Sequence, residues 1–388
     1  MNTLTKRIIT ASCAAAVAAA AFAADGGASA DSQSKFYGQK FDALSLEQSE
    51  KASAWVAVPF TKDIVFDVRG YYRYSYTAQL SDMQSGVNNH RLDLTRAALA
   101  WRIPLDTTKN VNITAGRFYA DDLTSCIFSQ TSDGLRIAYS MPAFSCSAYG
   151  GYTGLVNAKS YTVQGLSYDI KADQPYQLNA KYIAAGLKLQ APSLINNQTF
   201  GAEFSGFFNV DTTENTDGLS RAYGTLAADG PVVSKVYYSL SSSLGILYGG
   251  SGDPVFGNLS KASVTWYPGF LSSSVSASGV YATDKFMPFT FTGISINDAF
   301  SYSNVLKTGL ALSIKPAEKI SCTADGYVFF VSKADNSALA ASAVQWTASG
   351  KWKITSDAFV SLTAGQIIPL ADGVDPYLMG TTRAVISF

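Results

Sequence analysis

The segment Ile64-Val65-Phe66-Asp67-Val68-Arg69-Gly70-Tyr71-Tyr72-Arg73-Tyr74-Ser75-Tyr76-Thr77-Ala78-Gln79-Leu80 decides the fold. One parity carries Ile64, Phe66, Val68, Tyr72, Tyr74, Tyr76, Ala78 and Leu80. The other carries Val65, Asp67, Arg69, Tyr71, Arg73, Ser75, Thr77 and Gln79. Side chains of an extended strand alternate between two faces, so one face here is aromatic and apolar and the other polar and charged. The alternation outlasts the usual globular strand of about 5–6 residues. A strand of this length suits a tilted wall between hydrocarbon and water, continued beyond the bilayer.

The pattern recurs along the chain. Phe200, Ala202, Phe204, Phe208 and Val210 oppose Thr199, Glu203, Ser205 and Asn209; Val236, Tyr238, Leu240, Leu244 and Ile246 oppose Lys235, Tyr237, Ser239, Ser241 and Ser243. Leu271, Val275, Ala277 and Tyr281 oppose a run of serines, and Ile320, Cys322, Ala324, Val328 and Phe330 oppose Ser321, Thr323 and Asp325. A soluble β-sandwich alternates too, but with shorter strands and an outer face richer in Lys and Glu. A slip of phase at Thr95-Arg96, where Leu92 and Leu94 give way to Ala97, Leu99 and Trp101, predicts a β-bulge.

Composition agrees with a wall of strands. Of the 388 residues, 47% are hydrophobic and 15% charged, against a usual charged share of about 25%. No run of about 18 apolar residues follows the first turns of the chain, so the hydrophobicity sits at alternate positions rather than in membrane helices. A net charge of +0 gives no indication of a nucleic-acid partner. The one histidine, His90, and the scattered Cys126, Cys146 and Cys322 lack metal-ligand spacing and remove most Ser-His and Cys-His mechanisms. No catalytic residue, metal or cofactor is assigned, and the chain is not read as an enzyme.

Turn signals mark short connections at Thr61–Asp63, Pro104–Asn110, Met141–Ala143, Asp173–Pro175, Asp229–Pro231, Pro268-Gly269, Pro316–Glu318 and Ser349–Lys351. Longer polar connections are read at Ser81–Asn89, Tyr119–Asp133, Asp211–Gly218, Gly249–Asn258, Thr283–Ser301, Ser332–Ala338 and Pro369–Pro376. Short turns at one end and long loops at the other define an all-β, transmembrane, antiparallel up-and-down β-barrel of about 18 strands, within 16–20. Counted forward from Thr61 and backward from Phe388, the phase of the short turns disagrees by one strand between Tyr176 and Gly230.

At the start, Lys6 and Arg7 precede an apolar, alanine-rich stretch from Ile8 to Ala20 and the small residues Ala21-Phe22-Ala23. This is the pattern of a cleavable export signal at 1–24, and Cys13 is filler within it. A lead-in at 25–46 has room for a first strand, and the barrel is expected over 47–388. At the finish, Phe388, Ile386 and Ala384 share one face of an alternating strand, and Ser387, Arg383 and Thr381 the other. This ending resembles the assembly signal of bacterial outer-membrane barrel proteins, and the chain from Asp25 onward resembles the porins at the level of class. No particular porin family is matched, and the loop motif of the general trimeric porins is missing.

That resemblance implies the outer membrane of a bacterial cell, contact with lipid, recognition of Phe388 and Ile386 by the barrel assembly machinery, and room for a homo-oligomer. It implies passive diffusion of small hydrophilic solutes or ions, and a barrel of about 16–18 strands is wide enough for water. A closed barrel serving as surface antigen or adhesin, and a channel for a hydrophobic substrate, are the alternatives. The polar parities place Arg69, Arg73, Lys181, Arg221, Lys235, Lys261, Lys307, Lys315 and Arg383 in the bore against Asp67, Asp93, Glu203 and Asp325. Such a lining is anion-leaning. In the Tyr119–Asp133 loop, Leu123, Cys126, Ile127 and Phe128 are too apolar for free solution, so the loop is expected to fold inward as a constriction, with Asp121 and Asp122 facing Arg69 and Arg73. Trp55, Trp101, Trp266 and Trp346 are expected to be interfacial anchors.

Overall fold

The computed structural model describes residues 24–39, 43–211, 219–249, 252–332 and 339–388. The export signal and Cys13 lie outside the described residues, as do most of the loops read at Asp211–Gly218 and Ser332–Ala338. The first strands are β1 (Asp25–Gly38), β2 (Ser45–Pro59), β3 (Ile64–Gln79), β4 (Asp82–Pro104), β5 (Asn110–Asp121) and β6 (Ser129–Met141). Next come β7 (Phe144–Tyr152), β8 (Tyr182–Ile195), β9 (Gln198–Asn209), β10 (Ser220–Val233), β11 (Val236–Tyr248) and β12 (Val255–Trp266). The last are β13 (Ser274–Ala282), β14 (Val305–Ala317), β15 (Ile320–Ser332), β16 (Leu339–Lys353), β17 (Ala358–Pro369) and β18 (Tyr377–Ser387). Each strand pairs with its chain neighbours, and β1 pairs antiparallel with β18, which closes the eighteen-stranded sheet. The stretch 25–46 holds β1 and the first residues of β2.

Closure runs through the two ends of the chain. Ser29 stands opposite Ser387, and Phe388 both donates its amide to Ala28 (2.8 Å) and accepts from the Ala28 amide (3.2 Å). At this end of the barrel every connection is short, from two residues at 142–143, 196–197, 234–235 and 318–319 to seven at 267–273. Of the connections described in full at the other end, 153–181 and 283–304 are long, 122–128 and 370–376 have seven residues each, and 80–81 has two.

Three turn assignments are corrected. Asp173–Pro175 lies inside the 153–181 connection, at the opposite end of the barrel from the short turns. Asp229–Pro231 and Ser349–Lys351 lie within β10 and β16, and the turns come later, at 234–235 and 354–357. The turn without a reading is Asn196-Asn197, where both residues adopt positive φ (49° and 63°), a region that asparagine tolerates better than most residues. Dropping the first and adding the last removes the phase mismatch. The stretch Ser81–Asn89 is also strand, because β4 begins at Asp82 and stays paired with β3. Above the bilayer both faces are wet, so a strand there has no need to alternate.

The register confirms the two-faced wall. Phe204 and Leu226 are among the outward side chains left most exposed, while Glu203, Ser205 and Thr225 are buried on the inner parity of the same strands. Trp101, Trp266 and Trp346 point outward and are exposed. Trp55 does not: it stands in register with Arg69 on the inner face, with its ring against Gly27. The β-bulge falls where the phase slips. Arg69 pairs with Arg96 and Gly70 with Leu94, so Thr95 is the extra residue, its hydroxyl donating to the Arg69 carbonyl at 3.2 Å.

Deleting Thr95 removes the bulge and leaves Leu94 opposite Gly70 and Arg96 opposite Arg69, so every other side chain of β4 keeps its face. The deletion is expected to keep the folded, heat-shifted band on an unheated gel, whereas deleting Tyr72 from the regular part of β3, which turns the residues on one side of it to the opposite face, abolishes the band. Loss of the band in the Thr95 deletion contradicts the assignment.

Candidate functional site

The inner face divides into two unlike halves. On the β5–β16 side the inward positions toward the long-loop end are aromatic. Phe118, Tyr182, Phe207, Tyr223 and Phe329 are buried there with Ile127 and Phe128 of the 122–128 loop, Val163 of the 153–181 loop, and Phe286, Phe289 and Ile294 of the 283–304 loop. Phe207 stacks on Phe289 at 4.2 Å and lies 4.9 Å from Phe128. The three loops thus form a hydrophobic plug inside the barrel, seated on aromatic wall residues. Gly257 permits the fit, because a Cβ there would sit 2.5 Å from the Phe286 main chain.

Main-chain hydrogen bonds join the loops to one another. The Phe289 and Thr290 amides both donate to the Ile127 carbonyl (2.9 Å each), the Gln164 amide to the Phe289 carbonyl (2.9 Å), and the Phe291 amide to the Thr162 carbonyl (2.8 Å). Buried carbonyls without a second partner are costly, and wall cations supply donors. Arg221, 2% exposed, donates to the carbonyls of Pro288 and Gln164. Lys188 reaches the Asp121 carbonyl (2.9 Å), Lys261 that of Thr124 (2.9 Å), and Lys307 that of Ile294 (2.9 Å).

The 153–181 loop has a second task. β4 pairs with β5 only from Ala97 to Pro104, which leaves the upper edge of β4 without a neighbouring strand. The loop fills that gap. The Leu92 amide donates to the Pro175 carbonyl (2.9 Å), Asn157 Nδ2 to the Leu92 carbonyl (2.9 Å), and Lys159 Nζ to the His90 carbonyl (3.0 Å). Arg117 adds a donor to the Leu94 carbonyl while paired with Asp133 at 2.7 Å. Tyr161 of the same loop has its phenol pushed up to about 12, by burial first and then by the nearby Asp93.

The opposite half, from β1 to β4 and across to β18, keeps water. Arg69 and Arg383 point inward yet their side chains remain 56% and 46% exposed. Asp67 binds both Arg69 (2.7 Å) and Arg96 (2.8 Å), and Asp31 binds Arg383 (2.7 Å). Between these pairs runs a row of direct cross-strand neighbours: Asp31 opposite Lys51, Lys51 opposite Arg73, Arg73 opposite Arg91. A further cavity of about 390 Å³ lies below the plug, lined in part by Asp229, Ser239, Ser241, Lys261, Lys307 and Tyr327.

Against these positions, the expected lining separates into three groups. Arg69, Arg73, Asp67 and Arg383 lie on the watery half, and Asp325 on the inner parity of β15 accepts from the Thr347 hydroxyl. Arg221, Lys261 and Lys307 face inward but hold loop carbonyls, and Glu203 accepts the Leu123 amide at 2.6 Å. Lys181 and Lys235 are not in the wall of the bore. Lys181 precedes β8 at the loop end, 3.4 Å from Asp211, and Lys235 sits in the β10–β11 turn with φ 69°. The 122–128 loop does fold inward, but Asp122 does not face Arg69 or Arg73. Its carboxylate, 2% exposed, accepts the amides of Thr124, Ile127 and Phe128 (2.8 to 2.9 Å) and so shapes the loop itself. Asp121 lies toward Lys188 (3.8 Å), and Phe128 is buried in the plug. Lys51, Arg91 and Arg96 were missed by the reading of polar parities: Arg91 alternates in phase with Asp93, which was named, but Arg96 lies beyond the bulge and β2, which holds Lys51, had no named lining residue.

A closed antiparallel barrel with short turns at the chain ends and long connections folded into the bore has the architecture of the outer-membrane porins. No family model matches the chain, and no curated protein matches it in sequence. Solved structures do match in fold. Pseudomonas aeruginosa OccK5 (OpdH) superposes with a TM-score of 0.61 at 10% identity, over 94% of this chain and 98% of that one. Acinetobacter baumannii OccAB1 gives 0.59 at 12% identity, over 94% and 96%. Pseudomonas aeruginosa OccK2 (OpdF), solved in complex with glucuronate, gives 0.58 at 13% identity, over 94% and 98%. At these identities the similarity establishes the fold.

Replacing Asp122 by alanine removes the acceptor of three loop amides, a loss of about 2 kcal/mol of local stability. Amide exchange at residues 123–128 is expected to speed up about thirtyfold, with the strands unaffected. Unchanged exchange contradicts this role for Asp122.

Proposed function

We propose that the protein is an outer-membrane channel through which small hydrophilic solutes diffuse passively, anions ahead of cations. The observation that carries this reading is the row Lys51, Arg73, Arg91, three cations set directly opposite one another across adjacent strands. Like charges so placed destabilise a sheet, and Arg73 and Arg91 each have a buried Nε with no hydrogen-bond partner. Of the nearby carboxylates, Asp31 and Asp67 are engaged with Arg383, Arg69 and Arg96, and Asp93 accepts from the Ser160 and Tyr71 hydroxyls. Facing water, such a row favours anions, and the glucuronate bound to OccK2 suggests a small carboxylate as the kind of solute. The plug restricts the passage to the side of this row. Phe388 and Ile386, both exposed, are the residues offered to the assembly machinery.

Purified protein in a planar bilayer under a potassium chloride gradient is expected to give discrete conductance steps and an anion-selective reversal potential. Changing Lys51, Arg73 and Arg91 together to glutamine is expected to lower the anion preference several-fold without closing the channel. A cation preference in the unaltered protein contradicts the anion assignment. Absence of any steps contradicts the channel reading and favours a closed barrel acting as surface antigen or adhesin.

Removing residues 123–128 opens the plug and is expected to raise single-channel conductance. An unchanged value takes the loop out of the pathway.

A further inference from the structure

The plug holds a pair of nucleophiles that neither closes the barrel nor faces the watery half of the bore. Cys126 of the 122–128 loop is 3% exposed, and Nζ of Lys261, on the inner face of β12, lies 3.2 Å from its sulfur. The two residues are far apart in sequence and are held together from both sides. The same Nζ donates to the Thr124 carbonyl at 2.9 Å. The Cys126 amide donates to Thr124 Oγ1 (3.2 Å), and its thiol to the Thr124 carbonyl (3.3 Å). Ser125, at φ 53°, makes the sharp turn before Cys126, and the Asp122 carboxylate fixes the amides of Thr124 and Ile127 on either side.

Among the described residues no second thiol is within reach of Cys126. Cys146 stands in register with Tyr139 and Leu189, and Cys322 with Ile314 and Gly350, all on the outward parity. Both therefore lie across the wall from the plug. Solvent does reach the site. The cavity of about 390 Å³ below the plug is lined by Leu123, Thr124 and Lys261, and hydrogen peroxide is little larger than water. A thiol oxidised to sulfenic acid condenses with a neighbouring thiol or with a nitrogen. Here the neighbouring nucleophile is the amine of Lys261.

We propose that Cys126 and Lys261 form a peroxide-driven cross-linking site, at which a sulfenamide bond ties the 122–128 loop to β12. Hydrogen peroxide, the co-reactant, meets the sulfur first: an S–O bond forms, the O–O bond breaks, and the thiol proton leaves with the second oxygen as water. The Lys261 ammonium then yields one proton to solvent, and its nitrogen attacks the sulfur. The S–O bond breaks, and the hydroxyl departs with a second proton of the amine, again as water. Sulfur has lost two electrons, both peroxide oxygens have become water, and an S–N bond remains. The flexible four-carbon stem of the lysine closes the gap from 3.2 Å to bonding distance. Oxidation thus anchors the plug covalently to the wall, and a reductant frees it. The bond depends on the packing of the plug and not on which solutes pass.

Folded protein in detergent, identified by its heat-shifted band, is treated with hydrogen peroxide, unfolded in the presence of a maleimide, and digested without reductant. The expected product joins the Cys126 peptide to the Lys261 peptide, two hydrogens lighter than their sum, and dithiothreitol separates them. Amide exchange at residues 123–128 of the oxidised protein is expected to slow about tenfold and to recover on reduction. Lys261→Arg keeps a donor for the Thr124 carbonyl but is expected to give no linked pair, with Cys126 going on to sulfinic acid. Where Lys261→Arg does not fold, unaltered protein unfolded before the peroxide takes its place, and it too is expected to give no such pair. Free Lys261 in the oxidised folded protein overturns the assignment, whether Cys126 is then intact or sulfinic. A bond from Cys126 to another lysine does the same, and a linked pair that retains an oxygen contradicts the sulfenamide.

Discussion

In hydrocarbon a backbone amide or carbonyl finds no water, and each one left unpaired costs several kcal/mol. That constraint governs this molecule. It requires a sheet without edges, which the β1–β18 pairing supplies, with Phe388 bonded in both directions to Ala28. It explains the even strand number, because two antiparallel ends meet only if the chain starts and finishes at the same side of the membrane. It also explains why the upper edge of β4, where β5 turns away, is covered by the 153–181 loop and Arg117.

The same demand for partners shapes the interior. Folding three loops into the bore buries main-chain carbonyls that a water-filled barrel would leave wet. Wall cations answer it: Arg221, Lys261 and Lys307 each end on a loop carbonyl, and Lys188 on that of Asp121 where β5 enters its loop. These cations are therefore part of the scaffold, and the cations available to a solute are those of the opposite wall, where Lys51, Arg73 and Arg91 stand side by side. One composition of basic residues serves two purposes, distinguished by which have a carbonyl to hold.

The barrel was legible because a period-two pattern reports directly on two solvents. Ile64–Leu80 is β3 almost to the residue, and the slip at Thr95-Arg96 is a bulge. The alternation that ends at Phe388 is β18, which runs to Ser387. What failed were the places where a residue type has more than one use. Asp229-Gly230-Pro231 and Ser349-Gly350-Lys351 carry turn chemistry but lie in strands, since glycine on a small-residue wall and proline near a strand end are both tolerated. Asp173-Gln174-Pro175 turns within a loop rather than between strands. Of the plug, Ile127 and Phe128 gave a signal, and so did Phe286, Phe289 and Ile294, which are as apolar but were read as an outer loop. Parity could assign Arg221 and Lys261 to the inside, but not say what they touch, because a contact with a distant loop leaves no trace in local spacing.

The central claim is that successive residues of one strand see hydrocarbon and water in turn. Spin labels placed one at a time from Phe66 to Tyr76 in β3, with the protein in lipid bilayers, test it through collision with oxygen, which concentrates in hydrocarbon, and with a water-soluble nickel chelate. The account predicts that oxygen access peaks at Phe66, Val68, Tyr72 and Tyr74, and nickel access at Asp67, Arg69 and Arg73. Accessibility without a period of two, or with the two sets exchanged, would contradict it.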